Sequence, residues 1–161
     1  MLEILIKKHR LSGVLLDTNL LLLYLIGSFD LTLIKSFKRT AMYTEQEFQW
    51  LDEFTRKFSK IVVTPQILAE TWNFLEKIGE KTLLEIVKKL LSKLFILEEK
   101  YTHKDELLNL TGFRYLGITD ASVICAAKQL NCLVLTDDLR AYSFFCSESV
   151  SAININHLRT L

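Results

Sequence analysis

At 161 residues, half of them hydrophobic, the chain has the length and apolar content for one compact domain with its own core, which we place at 1–161. With 20 Lys and Arg against 19 Asp and Glu, its formal charge of +1 gives no case for gripping nucleic acid through bulk charge, so any such function must come from a local site. Cys125, Cys132 and Cys146 show no CxxC spacing and read as reduced packing residues of a cytoplasmic protein.

In chain order, Val14 to Ile26 superficially imitates a signal peptide or membrane span behind Lys7, Lys8, His9 and Arg10. Asp17 and Asn19 interrupt it, and it falls short of the roughly 20 apolar residues needed to cross a bilayer, which predicts no membrane role. It reads instead as a buried strand, Val14 to Leu16, stopped by Asp17, then a helix, Thr18 to Ile26, ended by Gly27. An extended helical segment follows over about 28–60. Leu31, Ile34 and Phe37 mark one helix there, and Phe48, Leu51, Phe54 and Phe58 another, with Thr44 and Glu47 as its capping box. Lys35, Lys38, Arg39, Arg56, Lys57 and Lys60 make this segment locally basic. A solvated helical face is the plainer reading of that run, and a contact to a substrate backbone the sharper one.

Ile61 to Val63 is a second β-branched strand, and Thr64 then Pro65 stand as cap and first residue of a helix that turns Ile67, Leu68, Trp72 and Leu75 inward. Glu70 lies on its first two turns. Lys81 to Phe95 is amphipathic, Phe95 to Leu97 suits a short strand, and Thr102 can cap a helix stopping near Gly112. Thr119 and Asp120 read as the cap and first turn of another helix, beyond which Cys132 to Leu135 is an apolar run suited to a strand covered on both faces. Leu139 to Phe145 reads as helix and Val150 to Ile155 as an edge strand.

Short apolar strands alternating with helices predict an α/β fold, a mostly parallel sheet between two helical layers. Ligands bind beyond the carboxyl ends of such strands, where Asp17, Glu70, Asp120 and Asp138 would then converge. Two carboxylates about 4 Å apart repel by roughly 4 kcal/mol at an effective dielectric of about 20. The acids must therefore protonate, spread or hold a cation. Oxygen donors without neighbouring His or Cys suit Mg²⁺ or Mn²⁺ better than zinc. After Thr136, side-chain alternation favours Asp138 as the inward acid, while Asp137 stands as a supporting residue, a metal ligand in its own right or a helix start.

Val14-Leu-Leu-Asp17-Thr-Asn19, Val63-Thr-Pro-Gln-Ile-Leu-Ala-Glu70, Thr119-Asp120-Ala121 and Leu135-Thr136-Asp137-Asp138 resemble the ordered acidic motifs of PIN-domain nucleases, with the VapC-like ribonucleases of bacterial toxin-antitoxin pairs the nearest comparison. The resemblance implies a three-layer α/β/α sandwich and Mg²⁺- or Mn²⁺-dependent hydrolysis of RNA phosphodiester bonds. It implies Asp17, Glu70, Asp120 and Asp138 as the catalytic, metal-binding acids, with Asn19 and Thr136 in support. RNA is then the substrate, and a small antitoxin protein and a homodimer are the candidate partners. The chain departs from small toxins in its long stretch between Asp17 and Glu70. Two alternatives stand beside this reading. A phosphatase of the haloacid dehalogenase type would use Asp17 as nucleophile, although it wants an Asp where Asn19 stands. A PIN-like binding module without catalysis would need no intact set of acids.

Overall fold

The strands that build the centre of the sheet are short and almost wholly apolar, as strands covered on both faces must be. The computed structural model describes residues 2–111 and 113–157. In it, β1 (Val14–Leu16), β2 (Ile61–Val63), β3 (Glu98–Glu99), β4 (Leu133–Thr136) and β5 (Ala152–Asn154) form one parallel sheet in the order β3-β2-β1-β4-β5. Every residue of β1 and β4 is buried, whereas β3 is two exposed glutamates, a charged edge that discourages further pairing. Val14 pairs with both Ile61 and Leu133, and Leu16 with Leu135, so β1 and β4 start level and β4 runs one residue further, to Thr136.

A helix α1 (Leu2–His9) precedes the sheet. The connections after β1 and β2 carry α2 (Thr18–Phe29), α3 (Thr32–Ser36), α4 (Glu45–Thr55), α5 (Pro65–Leu75) and α6 (Glu80–Phe95). Before and after β4 come α7 (Lys104–Leu108), α8 (Phe113–Leu116), α9 (Ile118–Leu130) and α10 (Leu139–Ser147). The chain steps from β1 through β2 to β3, then returns across the sheet to β4 and on to β5. Right-handed crossovers consequently lay α2 to α6 on one face and α7 to α10 on the other, giving the α/β/α sandwich. Between β1 and β4 the chain departs in opposite directions, which opens a crevice at their carboxyl ends. No helix among the described residues is long and apolar enough to cross a membrane.

The run that imitated a membrane span is α2, apolar all round because it is buried all round, with Leu20 to Gly27 inside the core and α3, α4, α5 and α6 packed about it. Gly27 does not end it. The helix runs on to Phe29, and the position is glycine because the Phe48 ring of α4 packs close against it: a Cβ built there would stand 2.3 Å from Phe48 Cδ2. Glycine serves here for a close approach and not for a turn. The Thr44–Glu47 capping box and the Thr64–Pro65 start form as the sequence predicts.

Other boundaries move for physical reasons. Trp72 is exposed rather than inward, its Nε1–H donating to Glu76 Oε1, while Thr71 takes the buried position beside it. Phe95 to Leu97 is the end of α6 and a turn, with pairing beginning at Glu98. His103, not Thr102, caps α7, which ends at Leu108; the expected stop near Gly112 lies outside the described residues. The cap of α9 is Gly117, at φ +85°, two residues ahead of Thr119. Ser122, polar in the sequence pattern, is wholly buried, and Cys146, read as a packing residue, is exposed.

The Gly27–Phe48 contact generates a stability prediction. Gly27→Ala should lower stability by about 1–3 kcal/mol despite alanine's better helix propensity, because the added methyl overpacks the α2–α4 contact. Denaturant melts read this directly, and Phe48→Leu in the Gly27→Ala background should recover part of the loss. A Gly27→Ala protein as stable as the parent would contradict the contact.

Candidate active site

Asp17 is the first residue beyond β1 and the cap of α2. Its Oδ1 accepts from Leu20 N–H at 2.9 Å and its Oδ2 from Asp137 N–H at 3.1 Å, while its own N–H donates to Leu135 C=O at 3.1 Å. One side chain thus satisfies the start of a helix and the end of a neighbouring strand. Glu70 reaches the same crevice from α5, where Thr18 Oγ1 donates to its Oε2 at 2.9 Å. Asp120 enters from the first turn of α9. Asp138 caps α10, its Oδ1 accepting from Arg140 and Ala141 N–H at 2.7 and 3.0 Å.

These four acids line one cavity of about 360 Å³, with Asn19, Thr136 and Arg39 also in its wall. Asp137 does not line it. Its Oδ1 accepts from Asn19 Nδ2 at 3.1 Å and its Oδ2 from the Tyr43 hydroxyl, and its carbonyl accepts from Asn156 Nδ2 at 2.6 Å. The alternation expected after β4 therefore survives the turn, turning Asp137 toward α2 and Tyr43 and Asp138 toward the crevice. Thr136 is wholly buried, and its Oγ1 accepts from Asp138 N–H at 3.0 Å, fixing that turn. Asn19 touches Asp137 rather than Asp17, so it acts on the first acid only through the Asp137 backbone.

The cavity is electrostatically strained. Burial, and next the charge of Asp137, push the Asp17 carboxyl up to about 7, against the pull of Thr136, Leu20 and Asp137 hydrogen bonds. Asp120 is pushed up to about 6 by burial, then by Asp138 and Glu70, with Arg140 opposing. Asp120 thus feels two of the other acids across the cavity. The donors are all oxygens, which suit a hard divalent cation, and neither His nor Cys lines the cavity. Among the described residues no three Asp, Glu, His or Cys side chains are already gathered into a metal-ligating cluster. Asp17 and Asp138 spend oxygens on helix caps, an arrangement suited to a cation that keeps several of its own waters.

Several contributors were not visible in the sequence as site residues. Thr18 orients Glu70, and its adjacency to Asp17 was the available signal. Beneath the cavity, buried Thr64 and Ser122 share a 2.8 Å hydroxyl contact, and Ser122 also donates to Thr119 C=O, tying the start of α5 to α9. Arg39 stood only as one of several cations in a basic stretch. Nothing in the sequence marked Tyr43.

A family model described as PIN domain matches residues 14–144. The crystal structure of PAE2754 from Pyrobaculum aerophilum shares the fold, with a TM-score of 0.53 at 18% identity over 92% of this chain and 94% of that one. No curated protein matches the chain.

The Asp17 environment sets a pH dependence for the metal-free protein. Below the ordinary carboxyl value of 3.8 both folded and unfolded chains carry the proton, and no penalty exists; above about 7 both have lost it, and the folded state bears the full cost of a buried, repelled anion. Stability contributed by this group therefore falls as pH rises between those values. In EDTA, Asp17→Asn should gain on the parent by on the order of 2–4 kcal/mol from pH 4 to pH 8. Denaturation of both proteins across that range checks it, and parallel stability curves would refute it.

Proposed function

Because the chain belongs to the PIN-domain family, we propose that it is a ribonuclease that hydrolyses RNA phosphodiester bonds with Mg²⁺ or Mn²⁺ held by Asp17, Glu70, Asp120 and Asp138. The observation that carries this reading is the convergence of those four acids on one cavity at the crevice between β1 and β4. Such a cavity repels a phosphodiester unless a cation offsets it, and the oxygen-only wall fits the cation in question. When bound, the cation supplies Lewis acidity toward water and phosphate, and charge neutralisation.

The chain's own residues supply position. Asp17 is locked between two backbone N–H groups, Thr18 holds Glu70, and the cap of α10 fixes Asp138. Asp137 acts from behind: with its side chain anchored by Asn19 and Tyr43, it presents the N–H that orients Asp17. We therefore assign Asp137 a positioning role and Asp138 the direct one. The phosphatase alternative is the weaker reading, since the PIN-domain model matches residues 14–144 and Glu70, which lines the cavity, has no place in that chemistry. Extension of the reading to a toxin neutralised by a small antitoxin protein rests on the resemblance of the motifs. Growth arrest on expression of the intact chain, relieved by Asp17→Asn, tests that extension.

The purified protein should cleave RNA with Mg²⁺ or Mn²⁺ and stop in EDTA. Asp17→Asn and Asp138→Asn should each lower the rate about 100-fold or more, while Asp137→Asn should stay within the roughly 10–100-fold range of residues acting through a ligand. The outcome that sinks the reading is a folded Asp17→Asn protein that cuts as fast as the parent.

Metal should also raise the melting temperature, since it binds the folded state in preference to the unfolded chain. The increment should grow from pH 5.5 to pH 8 as Asp120 and Asp17 lose their protons. Calorimetry without any metal-induced shift at pH 8 would remove the cation from the site.

A further inference from the structure

A second groove, of about 920 Å³, opens beside the acidic cavity and shares Asn19 and Arg39 with it. Lys38, Arg39 and Met42 reach it from the loop between α3 and α4, and Lys77 and Ile78 from the single 3-10 turn that follows α5. The Arg39 guanidinium lies 3.8 Å from the centroid of the Phe74 ring, and Lys77 Nζ stands 5.5 Å from the same centroid. The ring fixes both cations where an unsupported side chain would wander.

Elsewhere on the surface four basic residues stand in ion pairs. Arg56 pairs with Asp52, Lys60 with Glu98, Lys104 with Asp105 and Lys128 with Glu148. Among the described residues, none of Lys38, Arg39 and Lys77 enters an ion pair. Three cations outside any ion pair thus line this groove, and one of them, Arg39, also lines the cavity of four carboxylates, in a chain whose whole formal charge is +1. That separation suits a polyanion that must lie beside the acids with one of its phosphates among them.

Resting on the nuclease reading, we propose that this groove holds the single-stranded RNA flanking the scissile bond, with Lys38, Arg39 and Lys77 on its phosphates and Met42 and Ile78 against an unpaired base. Arg39 belongs to both cavities, so it meets the phosphate nearest the scissile one, and its planar fork matches two phosphate oxygens. Met42 is 63% exposed, an apolar side chain held open to solvent where a base can cover it. Bases paired in a duplex would face their own partners, not Met42 and Ile78, which selects a single strand. A third groove, lined by Lys7, Arg10 and Lys57 among others, lies near the amino ends of β1 and β2, at the opposite end of the sheet from the acids. It offers an internal control.

The test is fluorescence anisotropy of a labelled single-stranded RNA of about a dozen nucleotides, titrated with the intact chain in EDTA at several salt concentrations. Removing Lys38 and Lys77 together (both to Ala) should weaken binding about tenfold and make the plot of log affinity against log salt shallower by about 0.7 for each cation removed. Lys57→Ala should leave affinity and slope as they were, and duplex RNA of the same sequence should bind more weakly. An unchanged slope in the double variant, a loss moved to Lys57→Ala, equal affinity for duplex, or no binding by the parent even with Ca²⁺ in place of EDTA overturns the groove assignment. Any of these with metal-dependent cleavage intact leaves the nuclease reading standing, whereas absence of cleavage by the parent in Mg²⁺ defeats that reading itself.

Discussion

The carboxyl edge of the sheet depends on the Asp17 carboxylate, whose two oxygens join structures more than a hundred residues apart in the chain. One oxygen caps α2 through Leu20 N–H, and the other accepts the N–H of Asp137, the residue after β4. Removing the acceptor would leave two buried donors unsatisfied, each costing on the order of 1–3 kcal/mol. Yet the same burial that makes these bonds matter also makes the ionised form expensive and pushes the group up to about 7. Fold and chemistry thus set opposite demands on one side chain. The fold requires a two-armed acceptor in a partly dry place, and the proposed chemistry requires it charged. A counter-cation satisfies both demands at once.

The long stretch between β1 and β2 is joined to this arrangement at three points. Phe48 lies against the bare backbone of Gly27, fastening α4 to α2. Tyr43, wholly buried just ahead of α4, donates its hydroxyl to Asp137 and so holds the residue whose N–H orients Asp17. Arg39, earlier in the same loop, crosses to Phe74 on α5 and borders the acids. The segment is therefore part of the frame of the site, and a shift of α4 would reach Asp17 through two hydrogen bonds.

Local chemistry made much of this legible in the sequence. The strands at Val14 and Ile61, the Thr44–Glu47 box and the Thr64–Pro65 start were readable because each is dictated by neighbours within a few residues. The acids were readable because strand ends concentrate them and the order of the motifs is specific. What escaped was decided across the fold. Gly27 carries the composition of a helix stop, and only the Phe48 ring, distant in sequence, explains why a glycine stands inside a continuing helix. Ser122 looks solvated until Thr64 supplies its buried partner, and Trp72 looks like core until α5 is rotated so that Thr71 takes the inner place. Tyr43 carries no local signal at all, since its role exists only once β4 has brought Asp137 beside it.

Charge distribution, rather than total charge, gives the molecule its direction. The matched surface pairs cancel locally and contribute little to stability or to the field at a distance. What remains at the carboxyl edge is a set of acids in a recess beside cations held on an aromatic ring. On the proposed reading, a strand of RNA attracted by those cations meets repulsion from the acids until a divalent cation lies between them. Metal and RNA must then assist each other's binding, and by linkage the factor by which metal tightens RNA equals the factor by which RNA tightens metal. Acids that, among the described residues, are not already gathered into a metal-ligating cluster suit that constraint. A site that held its cation tightly alone would leave little for the substrate to complete, whereas phosphate oxygens arriving from the neighbouring groove can supply the ligands the protein lacks.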